Sequence, residues 1–240
     1  MKQIFLQTED KIQIAINHYT NQQNSVVIIC PGWFMTKDSK PFQKISNELA
    51  VNYDIITMDF RGHGKSSGFY TFTAKEEYDL KSVIKYAKSY SYQNVYLLGF
   101  SLGAALVLIY GARNNDIAKI IAVSPPTYFT KIENKMYSRD AWIPTLFQKF
   151  EPSRWISIRP GNPFLKKIKP VEIITKIKQP TLFIAGEKDP TVAAWHTEKL
   201  YQDANCTKNY ILFQKARHAE DLYIDYPEKF INICTDWFNN

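Results

Sequence analysis

Between Val95 and Ala112 the chain carries eighteen residues without a charged side chain, which on hydropathy alone reaches the length of a membrane-spanning helix. Its middle argues otherwise. The run Gly99-Phe100-Ser101-Leu102-Gly103 puts two glycines and a serine where a continuous helix would be weakened. The stretch therefore divides into a strand over Val95 to Leu98, a sharp turn at Ser101 and a buried helix from Leu102 to Arg113. A buried strand that turns at once into a buried helix belongs to a sheet covered by helices, and no transmembrane segment is expected.

The rest of the chain repeats this alternation. Ile4 to Leu6 and Ile12 to Ile16 flank the polar turn Thr8-Glu9-Asp10 as an opening hairpin. Apolar runs at Ser25 to Cys30, Ile55 to Phe60, Lys119 to Val123, Thr181 to Ala185 and Tyr210 to Phe213 read as further strands, the first of them continuous, as expected of a strand buried on both faces. Helical patterns cover Pro41 to Val51, a segment ending near Tyr90 that opens on the capping-box spacing Thr73 to Glu76, Val192 to Asp203 and Pro227 to Phe238. The expected class is α/β, a mostly parallel eight-stranded sheet with helices on both faces. At 240 residues one large domain suffices. Three cysteines with no C-x-x-C pair give no disulfide framework, and with charges at Lys2, Glu9, Asp10 and Lys11 and no long apolar core nearby, export by a secretory signal is not expected. A cytoplasmic location is expected.

The net charge of +7 is localised. Thr127 to Pro180 holds 11 basic against 4 acidic residues and six of the twelve prolines, which marks it as an insert built differently from its surroundings. Its basic residues are dispersed and no nucleic-acid-binding signature accompanies them. The preferred reading is a solvated surface, with attraction of an anionic substrate or lipid surface as the alternative.

Chemistry centres on Ser101. A serine on a strand-to-helix turn bracketed by glycines sits in strained backbone at a helix N-terminus, where free amides stabilise negative charge. A hydroxyl there needs a base, and the base an orienting acid. Of the four histidines, His18 lies in the opening hairpin, His63 in the loop Arg61 to Gly64, and His196 in a helix, while His218 follows the last strand. Functional groups of open α/β sheets collect at that edge, so His218 is the candidate base. The acid should also follow a strand, which leaves Asp189, with Glu187 as the second choice and helix capping as the non-catalytic role for Asp189. No phosphate-binding loop, HExxH motif or paired cysteines point to a cofactor or metal.

With these residues in place the chain resembles the α/β-hydrolase superfamily over essentially its full length. The order Ser101, Asp189, His218 is similar to that family's nucleophile, acid and base, and Asp59-Phe60-Arg61-Gly62-His63-Gly64-Lys65-Ser66 resembles the loop after a strand in its lipase-like and aminopeptidase-like members. The nearest subgroup holds monoacylglycerol lipases, cinnamoyl and feruloyl esterases and serine aminopeptidases. The resemblance implies a hydrolase core over residues 1–126 and 181–240, a cap over 127–180, and a structural role for His63. It also implies oxyanion donors at the backbone amides of Trp33 and Leu102, with a plain aromatic lining role for Trp33 left open. Where the family usually has His-Gly, this chain has Pro31-Gly32. The implied activity is cleavage of a small or lipid-like carboxylic ester through an acyl-enzyme, without cofactor or nucleic-acid partner. Peptidase, thioesterase and acyltransferase chemistry, or a degenerate hydrolase that only binds ligand, are the alternatives.

Overall fold

The computed structural model describes residues 1–132, 158–162 and 164–240. Eight strands form one sheet: β1 (Lys2–Gln7), β2 (Gln13–Tyr19), β3 (Ser25–Cys30), β4 (Asp54–Met58), β5 (Asn94–Phe100), β6 (Lys119–Val123), β7 (Thr181–Gly186) and β8 (Lys208–Phe213). Their order across the sheet is β1-β2-β4-β3-β5-β6-β7-β8. Only β2 runs against its neighbours β1 and β4, and every pairing from β4 to β8 is parallel.

Described helices are α1 (Lys40–Leu49), α2 (Glu76–Lys88), α3 (Leu102–Arg113), α4 (Pro170–Ile173), α5 (Ala194–Asp203), α6 (Asp221–Asp225) and α7 (Pro227–Asn239). Because side chains alternate along a strand, each apolar run feeds two cores at once. Val26, Ile28, Val95, Leu97, Ile120 and Phe183 pack with Leu80, Val107 and Leu200 of α2, α3 and α5. Their neighbours Val27, Ile29, Leu98, Ile121 and Ile184 pack with Phe42, Leu222, Phe230 and Phe238 of α1, α6 and α7. The uncharged stretch resolves into β5, the turn at Ser101 and α3, whose residues Leu102 to Gly111 are all buried. Among the described residues no helix is long and apolar enough to cross a membrane.

One local expectation fails. Glu76 does not close a capping box with Thr73. It is the first residue of α2 and reaches back to Thr71, accepting from the Thr71 amide at 2.5 Å and the Thr71 hydroxyl at 3.0 Å. The Thr73 hydroxyl instead donates to the Ile168 carbonyl at 2.7 Å. A tertiary partner has taken the group that local spacing assigned to the helix end.

The insert touches the core through the loop after β4. Arg159 N donates to Gly62 O at 2.8 Å, Tyr70 N to Arg159 O at 2.8 Å, and Gly161 N to Tyr70 O at 2.7 Å. Residues 133–157 and 163, with the basic residues Lys135, Arg139, Lys149 and Arg154, lie outside the described residues.

Candidate active site

The turn at Ser101 is as tight as its glycines imply. A Cβ on Gly99 would stand 2.6 Å from Gly103 O, and one on Gly103 would stand 2.1 Å from Cys30 O, so any side chain at either position would force strand and helix apart. Ser101 itself has φ 52 and ψ −116, a left-handed conformation held by its N–H donating to Val123 O at 2.8 Å. Were this only a helix-capping serine, Oγ would bond to amides of the first turn. It makes no such bond. Ser101 Oγ lies 2.8 Å from His218 Nε2.

His218 Nδ1 lies 2.6 Å from Asp189 Oδ2. The other carboxylate oxygen of Asp189 accepts from the amides of Thr191 and Val192, each at 2.8 Å, so the carboxylate combines an orienting contact with closure of its own turn. The Asp189 side chain is fully buried and that of His218 is 13% exposed. An acceptor-only carboxylate on Nδ1 fixes the proton there and leaves the Nε2 lone pair facing the serine hydroxyl. Glu187 is exposed and accepts from Lys215 N at 2.8 Å.

The loops carrying Asp189 and His218 are welded together. A Cβ on Gly186 would fall 2.1 Å from Arg217 O, and Lys188 N donates to Ala216 O at 2.9 Å. Ser124, at the end of β6 with φ 51, accepts from Ala219 N through its hydroxyl at 3.3 Å. Sequence reasoning missed Ser124, since an isolated serine after a strand carries no local signal.

At the other shoulder of Ser101, a Cβ on Gly32 would lie 2.9 Å from Ser101 Cβ. This presses the Pro31-Gly32-Trp33 turn against the serine. Leu102 is the first residue of α3, where the backbone amide precedes the helical hydrogen-bond ladder. The Trp33 ring packs 4.4 Å from Phe34 and 5.4 Å from Phe72. That turn is anchored further on by buried Asp59, which accepts from Lys37 N at 2.7 Å and Lys65 N at 3.0 Å; burial pushes its carboxyl up to about 6.

The remaining histidines lie elsewhere. His18 bridges the hydroxyls of Tyr86 and Tyr92 at 3.0 and 2.9 Å. His196 is buried, with Nδ1 3.1 Å from Thr127 N and 2.5 Å from the Thr127 hydroxyl. His63 is buried with Nδ1 3.2 Å from Arg61 O and its ring 4.4 Å from that of Tyr70. Burial pushes His63 down to about 4, so the folded protein keeps it neutral where the unfolded chain takes up a proton near the ordinary 6.5. The unfolded state then binds more protons between these values, and stability present above pH 6.5 drains away as pH falls toward 4. Between pH 7 and 4.5 the unfolding free energy of the wild type should drop by about 2 to 3 kcal/mol more than that of His63→Gln. Urea titrations at both pH values check this, and parallel declines would reject it.

Among the described residues no group of three or more His, Cys, Asp or Glu side chains is arranged to hold a metal ion.

Comparison with known proteins gives a consistent picture. The family model described as alpha/beta hydrolase fold matches residues 25–151. The chain is 26% identical over 208 residues to a Bacillus subtilis protein named Uncharacterized protein YqkD, covering 81% of this chain and 65% of that one. This chain thus spans just under two thirds of that relative's length. It is 22% identical over 261 residues to human Serine hydrolase BPHL, covering 94% of this chain and 85% of the relative. Among solved structures, the Pyrococcus furiosus esterase Pf2001 superposes with a TM-score of 0.80 at 23% identity, covering 99% of this chain and 89% of that one. The esterase RhEst1 from Rhodococcus sp. gives 0.80 at 16%, covering 100% and 99%. At these identities the structural likeness speaks for the fold.

Proposed function

The chain belongs to the alpha/beta hydrolase fold family, and from that premise we propose that it is a serine hydrolase cleaving a carboxylic ester of a small or lipid-like molecule. The observation that carries the reading is the pair of contacts linking Ser101 Oγ to His218 Nε2 at 2.8 Å and His218 Nδ1 to Asp189 Oδ2 at 2.6 Å. Ser101 Oγ attacks the ester carbonyl carbon while Nε2 takes the hydroxyl proton. Asp189 holds the imidazolium, and the Trp33 and Leu102 amides stabilise the oxyanion. Collapse of the tetrahedral species breaks the bond to the alcohol oxygen, which leaves with the proton from Nε2. Water then gives a proton to Nε2 and adds to the acyl carbon. The second collapse releases the acid and returns the proton to Ser101. Losing the family's usual histidine before Gly32 is compatible with this scheme, because both oxyanion donors are backbone groups.

In this reading residues 1–126 and 181–240 form the core and 127–180 the cap, and the protein works in the cytoplasm; none of its three cysteines is disulfide-bonded. A fluorophosphonate probe should label the wild-type protein at Ser101 and leave Ser101→Ala unlabelled. Equal labelling of both would remove Ser101 from the role, and no labelling of either would favour a ligand-binding descendant of the family.

We read the cap's charge as that of a solvated surface. Lys169, for example, pairs with Glu172 at 2.9 Å. Exposed charge is screened over about 8 Å at physiological salt, so steering would show as a salt-sensitive advantage for anionic substrates. A neutral ester and a matched ester with a remote carboxylate should lose kcat/KM in equal proportion as ionic strength rises. A selective loss for the anionic one would assign the cap a recruiting role.

A further inference from the structure

Phe72, in the loop between β4 and α2, has φ 54, a backbone region that bulky residues enter only when their surroundings impose it. The residues on either side supply that imposition. Thr71 is held through its amide and hydroxyl by the buried carboxylate of Glu76, at 2.5 and 3.0 Å. Thr73 exchanges two hydrogen bonds with Ile168 of the insert, its hydroxyl donating to the carbonyl at 2.7 Å and accepting from the amide at 3.0 Å. Strain and two clamps thus serve to fix one half-buried aromatic ring.

That ring belongs to an aromatic cluster beside the Ser101 turn. Its centroid lies 5.4 Å from Trp33 and 5.1 Å from Tyr70. Phe72, Trp33 and Phe129 are partly buried and pack against Tyr70 and against Leu102 and Ala105, the latter two in the first turn of the helix that Ser101 opens. Lys167 Nζ stands 5.7 Å from the Phe72 centroid, within cation–π range.

We infer that Phe72 is a specificity-determining residue which, with Trp33 and Phe129, forms a wall for a planar aromatic group of the substrate. The inference rests on the ester-hydrolase reading and extends it to aryl-bearing esters. Rings held at fixed tilt offer a substrate ring edge-to-face and offset contacts that an alkyl chain of the same length cannot make.

The test compares kcat/KM for two matched pairs, ethyl 3-phenylpropanoate against ethyl hexanoate and benzyl acetate against hexyl acetate, in wild type, Phe72→Leu and Phe72→Gly. The aryl-to-alkyl ratio should fall about tenfold in at least one pair in both Phe72 variants, each checked by a thermal melt to be folded at the assay temperature. Thr73→Val, which loosens the clamp without touching the ring, should move the ratio in the same direction by less. Ratios unmoved by both Phe72 substitutions, or equal losses on aryl and alkyl esters, overturn the inference alone. A wild type inactive on all four esters overturns the ester-hydrolase reading and the inference with it.

Discussion

Replacing Ser101 with alanine should leave a folded protein whose ester turnover has dropped by about three to six orders of magnitude, the range seen when a triad nucleophile is removed. The expected loss is large because in the proposed mechanism Oγ forms the covalent bond, and it is the atom that His218 Nε2 faces at 2.8 Å. Stability should change little. Alanine keeps the Cβ, so the strain at φ 52 is the same in both proteins, and Oγ makes no capping bond whose loss would weaken α3. Steady-state rates and a thermal melt on the same preparations separate the two effects. Near-normal turnover by a folded Ser101→Ala protein would end the assignment, and an unfolded variant would show that the hydroxyl has a structural role the geometry does not reveal.

Asp189→Asn should be nearly as damaging, at about four orders of magnitude in kcat, because an amide can donate to Nδ1 and so favour the tautomer whose Nε2 already carries a proton. Such an imidazole cannot accept from Ser101. Glu187→Gln should cost less than about threefold, since that side chain is exposed and its contact with the Lys215 amide survives in the neutral isostere. The two variants differ by two positions in one loop, so the ranking of their rates is a sharp measurement. The opposite ranking would transfer the orienting role to Glu187.

The uncharged stretch from Val95 to Ala112 shows how much of the architecture is local. The glycines at positions 99 and 103 interrupt the apolar run, so a strand, turn and helix could be read there from local signals, whereas the 2.1 Å approach that forbids a side chain at 103 is to Cys30 O of β3 and is a tertiary contact. The two cores were legible for a similar reason, because a strand buried on both faces must be apolar at every position. Where a polar side chain had a choice of partner, local reading failed. Thr73 has capping-box spacing to Glu76, yet its hydroxyl is used 95 residues away by Ile168. Nothing in the pattern around Ser124 foretells that it will hold the loop carrying His218.

The candidate site divides in the same way. Sequence by itself determined which residue types stand at the carboxyl ends of strands: a serine on a glycine-bracketed turn, two carboxylates after β7, a histidine after β8. It could do so because strand, turn and helix signals are written within a few residues of one another. Only the tertiary structure decided which carboxylate meets the imidazole, that the Gly32 turn lies against the serine, and that Phe72 is strained toward Trp33. Those outcomes depend on contacts between residues 29 or more positions apart in the chain. The side chain that wins such a contact is set by the direction in which the sheet delivers each loop, which no short window of sequence encodes.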